Sequence, residues 1–215
     1  RADGFTPGLL TPDGIDKRLH HMKPFLAQGC FFASRFLEDF LWLLPHMDRL
    51  ERSVGYREKM FFDTQRGLGT WYNSMESGAD NNVATLDYPK RGVVAADLNG
   101  FLYREYTAMA LIARELKYKK RQQRYAAKAK ELKKSILHHL WHDADGIFYN
   151  LERKTGEPIR RATYASLIPL WSSIAPYAKG QDMIRRWLLN PKKLWAKWGV
   201  RTLSADDPSY NQVNM

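Results

Sequence analysis

The sequence predicts an all-α fold with long ordered loops and at most a short β-hairpin. Three observations carry that expectation. Apolar residues recur at helical spacing through most of the chain, only one stretch near 146–160 reads as strand, and tight helix connections alternate with long aromatic-rich loops. Such helix–helix–loop alternation is that of a toroid of helical hairpins. The 215 residues, 44% hydrophobic with seven Trp, eleven Tyr and ten Phe, supply material for a sizeable core and exclude a disordered polymer.

Residues 4–14 read as loop, with Thr-Pro at 6–7 and 11–12. Helical patterning then runs through Ile15, Leu19 and Met22, and on through Phe25, Leu26, Phe32, Phe36, Leu37, Phe40 and Leu41. Pro24 suits the first turn of one helix, and Pro45 that of the next, which carries Met47, Leu50, Val54 and Met60. Periodicity disappears over 61–90, a length of loop that is usually functional in a compact domain, and its aromatics argue for order. Asp97 suits an N-cap for a helix of Leu98, Phe101, Leu102, Tyr106, Met109, Ile112 and Leu116. After a break near 117–121, Tyr125, Ala129, Leu132, Ile136 and Leu140 mark a second helix. Asp143-Ala-Asp-Gly146 turns, Ile147-Phe-Tyr149 extends, and Lys154-Thr-Gly156 returns the chain. Two more helices are expected, over 162–175 and 181–189, before a loop-like tail over 198–215.

The 34 Lys/Arg outnumber 23 Asp/Glu, for a net charge of +11. Residues 114–134 hold ten basic side chains against two acidic ones, eight of that net charge, so the basicity is local. Leu116, Tyr125, Ala129 and Leu132 give this segment an ordinary packed face, which favours an outer helix with a solvated side over a phosphate-binding one. The single Cys30 excludes an intramolecular disulfide framework and a cysteine-rich zinc site. His138 and His142 form an i,i+4 pair but lack the Glu of a metalloprotease helix, and Asp143-Ala-Asp-Gly146 lacks the spacing of a calcium loop. No metal or cofactor is therefore expected. Trp187, Trp195 and Trp198 read as core or loop anchors. The most apolar run, 31–44, is broken by Arg35, Glu38 and Asp39 and followed by Pro45, so no membrane span is expected. One unpaired Cys and no leader-like start favour the cytosol. Neither Arg1-Ala-Asp-Gly4 nor Asn214-Met215 reads as a natural end, so the chain is expected to be part of a larger domain, truncated at both ends.

The most informative segment is Trp71-Tyr-Asn-Ser-Met-Glu-Ser-Gly-Ala-Asp-Asn-Asn82. It gathers two carboxylates (Glu76, Asp80), three amides (Asn73, Asn81, Asn82) and two aromatic rings (Trp71, Tyr72). Sugar recognition needs that mixture: a ring for the C–H face, amides for hydroxyls and a carboxyl to protonate a leaving oxygen.

Residues 75–82 resemble the Glu-Ser-Gly-Met-Asp-Asn-Ser signature of glycoside hydrolase family 63, whose relatives include mannosylglycerate hydrolases, processing α-glucosidases and, more distantly, trehalases. Three further stretches resemble family motifs in the same order: the Asp-Leu-Asn start at Asp97, Leu-Ile-Pro-Leu-Trp at 167–171, and Ser-x-Asp-Asp-Pro-x-Tyr at 204–210. The sequence departs from the signature at Ala79, where Met or Trp usually stands, and at Asn82-Val83, where Ser-Pro is common. The resemblance implies part of an (α/α)6 barrel and an inverting O-glycosidase acting on an α-linked glucosyl or mannosyl group. A small acceptor such as glycerate would suit it, with trehalase-like specificity and a non-catalytic polyanion-binding module as alternatives. It implies Asp80 as general acid and a small saccharide as partner, not nucleic acid or a membrane. Trp71, Tyr72, Asn73, Glu76, Asn81, Asp97, Asp207 and Tyr210 are the expected substrate-binding residues. The general base resembles a Glu beyond Met215, so the 215 residues alone are expected to be inactive.

Overall fold

A computed structural model describes residues 1–8, 10–12, 14–15, 20–79 and 81–212. Its helices are α1 (Leu26–Leu37), α2 (Met47–Met60), the single turn α3 (Ser74–Ser77), α4 (Ala96–Glu115), α5 (Lys119–His139), the short α6 (Ile168–Trp171) and α7 (Tyr177–Met183). Two 3-10 segments, Leu41–His46 and Tyr164–Leu167, precede α2 and α6, and a π turn, Ile184–Leu188, continues α7. α4 is central: it packs on α5, α1 and α6. Its Leu102, Met109, Ile112 and Ala113 are buried with Tyr125, Leu132 and Ile136 of α5 in the main core, as the two 3.6-residue patterns require. Gly100 permits the close contact with α6, since a Cβ there would stand 2.8 Å from Cγ2 of Ile168.

Strands are short, and more numerous than the expected hairpin. Val93–Val94, Asn150–Glu152 and Pro158–Ile159 form a three-stranded antiparallel sheet with 150–152 in the middle. Two-residue antiparallel ladders join 10–11 to 14–15, 62–63 to 68–69, 141–142 to 147–148 and 195–196 to 199–200. Ile15 is thus in a strand, not in the expected helix, while Leu19 lies outside the described residues. The helix expected over 162–175 is reduced to the 3-10 turn and α6, and the one expected from 181 starts earlier, at Tyr177. Pro45 lies inside the 3-10 segment, and α2 begins two residues later.

The starts of α1 and α4 are satisfied by side chains distant in sequence. Glu105 of α4 accepts from the backbone N–H groups of Ala27 (2.7 Å) and Gln28 (3.2 Å), the orphan donors at the start of α1. Asp97 is not the N-cap of α4: Ala95 is, and the Ala96 N–H is satisfied instead by Asn150 Oδ1 at 2.8 Å. The basic face of α5 meets the acids of α2, with Arg121 on Asp48 (2.7 Å), Lys128 on Glu58 (2.6 Å) and Arg124 on Glu51. Among the described residues no helix is long and apolar enough to cross a membrane, and no group of three His, Cys, Asp or Glu gathers as for a metal.

Candidate active site

The loop after α2 is tied down from inside. Asn73 caps α3 by accepting from the Glu76 N–H at 3.0 Å, and Gly78 ends it at φ 74°, a left-handed conformation that suits glycine. Glu76 turns inward: its Oε1 accepts from Arg57 Nη2 at 2.8 Å and its Oε2 from the Tyr72 N–H at 2.6 Å. Both members of this ion pair are buried. Arg57 also donates to the carbonyl of Met22 at 3.2 Å, and its guanidinium lies 5.6 Å from the Trp71 ring and 5.5 Å from that of Phe61. Trp71, 2% exposed, donates from Nε1 to Asp97 Oδ1 at 2.9 Å and joins Ala84, Val93, Ala95, Leu98 and Ile159 in a small core of its own. Asn99 holds the preceding strand by accepting from the Gly69 N–H (2.7 Å) and donating to the Gly69 carbonyl (2.9 Å).

Beyond α3 the loop borders a cavity of about 400 Å³. Gly78, Ala79, Asn81, Asn82 and Val83 form one side; Thr163, Tyr164, Thr202, Leu203, Ser209, Tyr210 and Asn211 form the other. Asp80 lies outside the described residues, but both its chain neighbours line this cavity. The opposite wall is a short ladder: Thr163 bridges Leu203, the Tyr164 N–H donates to the Thr202 carbonyl (3.1 Å), and the Ser204 N–H donates to that of Ala162 (2.9 Å). This ladder separates two cavities. Thr163, Tyr164, Thr202 and Leu203 line the first, whereas Ala162 and Ser204 border a second, charged one of about 480 Å³ with Asp145, Arg160, Arg186, Lys193, Asp206 and Asp207.

Of the expected substrate-binding residues, Asn81 and Tyr210 line the cavity. Trp71, Glu76 and Asp97 do not: each is buried and bonded to a partner inside the fold. Asn73 is engaged in capping α3. Tyr72 packs by its ring edge against His20 and Phe61, with Lys90 over its face at 5.1 Å. Asp207 pairs with Arg161 and accepts from the Ser209 N–H at 2.8 Å, so it braces the 204–210 loop from the far side. Thr163, Tyr164 and Ser209 were not anticipated from the sequence. The signal for them was position, immediately before Leu-Ile-Pro-Leu-Trp and within the Asp-Asp-Pro-x-Tyr stretch. Burial raises the Asp97 carboxyl to about 6 against the bonds from Trp71 and Leu98, raises Glu105 to about 7, and raises the Tyr164 phenol to about 12.

Two trehalases and a mannosylglycerate hydrolase are similar to this chain in sequence or fold. The periplasmic trehalase of Pseudomonas aeruginosa is 28% identical over 159 residues, covering 67% of this chain and 29% of the trehalase, so the chain spans under a third of that relative. The family 63 mannosylglycerate hydrolase of Thermus thermophilus, solved with glucose, superposes with a TM-score of 0.75 at 17% identity, over 98% of this chain and 66% of that one. Neutral trehalase from Saccharomyces cerevisiae gives a TM-score of 0.66 at 14% identity, over 86% and 46%. These structures share the six-hairpin glycosidase fold, in which this chain supplies part of the helical toroid. With residues 12–215 matching its description, the chain belongs to the family of mannosylglycerate hydrolase MGH1-like glycoside hydrolase domains.

Proposed function

We propose that the protein containing this chain hydrolyses an α-linked glucosyl or mannosyl group with inversion, and that Asp80 is the general acid. The observation that carries this reading is the cavity on both sides of position 80, walled by amides, hydroxyls and two tyrosine rings. That chemistry suits a sugar's hydroxyls. Asp80 protonates the departing glycosidic oxygen, while a second carboxylate activates water on the opposite face of the ring. We place that base outside these 215 residues. Glu76, Asp97, Asp206 and Asp207, the described carboxylates of the motif segments, are already committed to Arg57, Trp71, Lys193 and Arg161. The isolated chain is accordingly expected to be inactive.

The test is the anomer first released from an α-glycoside by the enzyme carrying the complete domain, followed by proton NMR. Initial release of the β-anomer is expected, and initial release of the α-anomer overturns the inverting reading. Trehalose is the second substrate class, favoured by the Pseudomonas relative, and glycerate glycosides the first, favoured by the family matched. The cytosolic placement belongs to this proposal too, and release of the protein with periplasmic markers on osmotic shock would overturn it.

A further inference from the structure

Arg201 follows the small hairpin of Trp195–Ala196 and Gly199–Val200. Its Nη1 donates to the carbonyls of Pro191 (3.1 Å), Lys193 (3.2 Å) and Trp195, and its backbone N–H donates to that of Leu194 at 2.7 Å. These bonds lock the guanidinium against the 191–195 loop. Its Nε donates to the phenol oxygen of Tyr210 at 3.1 Å, and Tyr210 lines the cavity. A phenol oxygen that accepts from a guanidinium offers its own proton to the next partner. The same device recurs beside it, where Arg161 Nη1 donates to Ser209 Oγ at 3.1 Å while paired with Asp207. Each cation thus stands behind a hydroxyl, already engaged by backbone carbonyls or a carboxylate, and the described cavity lining itself carries no charged side chain.

We propose that Arg201 is a positioning residue that presents the Tyr210 O–H as a donor to an oxygen of an uncharged glycosyl unit in this cavity. This deepens the sugar-site reading and rests on it. A sugar acid gains nothing here, because Arg201 faces the cavity through a phenol and its Nη1 is engaged by carbonyls.

The experiment is equilibrium binding of glucose, mannose and glucuronate to the enzyme carrying the complete domain, by calorimetry and by NMR of the arginine Nε–H groups. It compares the parent with Tyr210→Phe, Arg201→Gln and the double variant. At least one neutral sugar is expected to bind more tightly than glucuronate. Each single variant should weaken it about 5- to 10-fold, the worth of one net hydrogen bond, and the double variant should be no weaker than Tyr210→Phe, because Arg201 acts through that phenol. The Arg201 Nε–H resonance should shift on sugar addition, a readout in the folded parent that does not depend on any variant folding. Parent-like binding by Arg201→Gln, losses that multiply in the double variant, tighter binding of glucuronate, or an unmoved Nε–H resonance at sugar saturation overturns the inference while leaving the sugar site standing. Absence of saturable binding by the parent to any of these sugars overturns the site reading itself, and the inference with it.

Discussion

Arg57 and Glu76 set the residue-scale problem, because both are buried and charged. Such a pair contributes little net stability beyond what its desolvation costs, but removing one partner strands the other. Arg57 is exposed to that risk, since its Nε and Nη1 already have no hydrogen-bond partner among the described residues. Glu76→Gln should therefore destabilise the fold by about 3–5 kcal/mol in urea unfolding. Adding Arg57→Met should recover most of the loss, because no buried charge then remains unpaired. A loss below about 1 kcal/mol for Glu76→Gln would show that the pair does not hold the loop. The same pair explains how the sequence misdirects. Glu76 lies in the sugar-like segment, and composition cannot say that its carboxylate turns inward to a residue nineteen positions earlier. Trp71 and Asp97 likewise satisfy each other across 26 positions.

Among the elements, α4 and α5 were legible because long amphipathic periods specify a buried face whatever their neighbours. Helix starts were not. Asp97 has the residue type of an N-cap, yet the chain enters α4 directly from the Val93–Val94 strand, and Asn150 from the sheet satisfies the first N–H. Glu105 likewise serves α1 from 78 positions away. Burial disfavours its charged form, so its carboxyl rises from 4.5 to about 7. The folded state therefore holds more protons than the unfolded chain between those values, and this group's contribution falls as pH rises through that window and is flat above it. The contribution is on the order of 3 kcal/mol. Thermal unfolding from about pH 4.5 to 8 should show Glu105→Gln with a flatter profile than the parent, the parent losing stability relative to the variant as pH rises. Parallel profiles would mean that Glu105 does not titrate in this window.

Across the whole molecule, the signature loop at 78–83 and the segments 163–164 and 202–211 meet at one cavity, although more than a hundred residues separate the outer two. Two of the four family motifs, at 75–82 and 204–210, contribute to it, while those at Asp97 and 167–171 do not line it. What the motifs could not rank was which of their side chains reach the cavity, a matter of bonds made far along the chain. Phe36 is 87% and Leu41 66% exposed, and Phe32, Leu37, Trp42 and Leu44 of the same stretch of chain are exposed too. The central claim is that the cavity is a glycosidase active site with Asp80 as its acid. Asn at position 80 keeps the shape and a hydrogen bond but cannot deliver a proton, and a proton matters most to a poor leaving group. The most direct measurement compares Asp80→Asn with the parent, in the enzyme carrying the complete domain, on an unactivated α-glycoside and on the matching glycosyl fluoride. The account predicts a loss in kcat of about 10²–10⁴-fold on the glycoside, with little change in KM, and a much smaller loss on the fluoride. Equal losses on both substrates would contradict it and assign Asp80 to binding or folding.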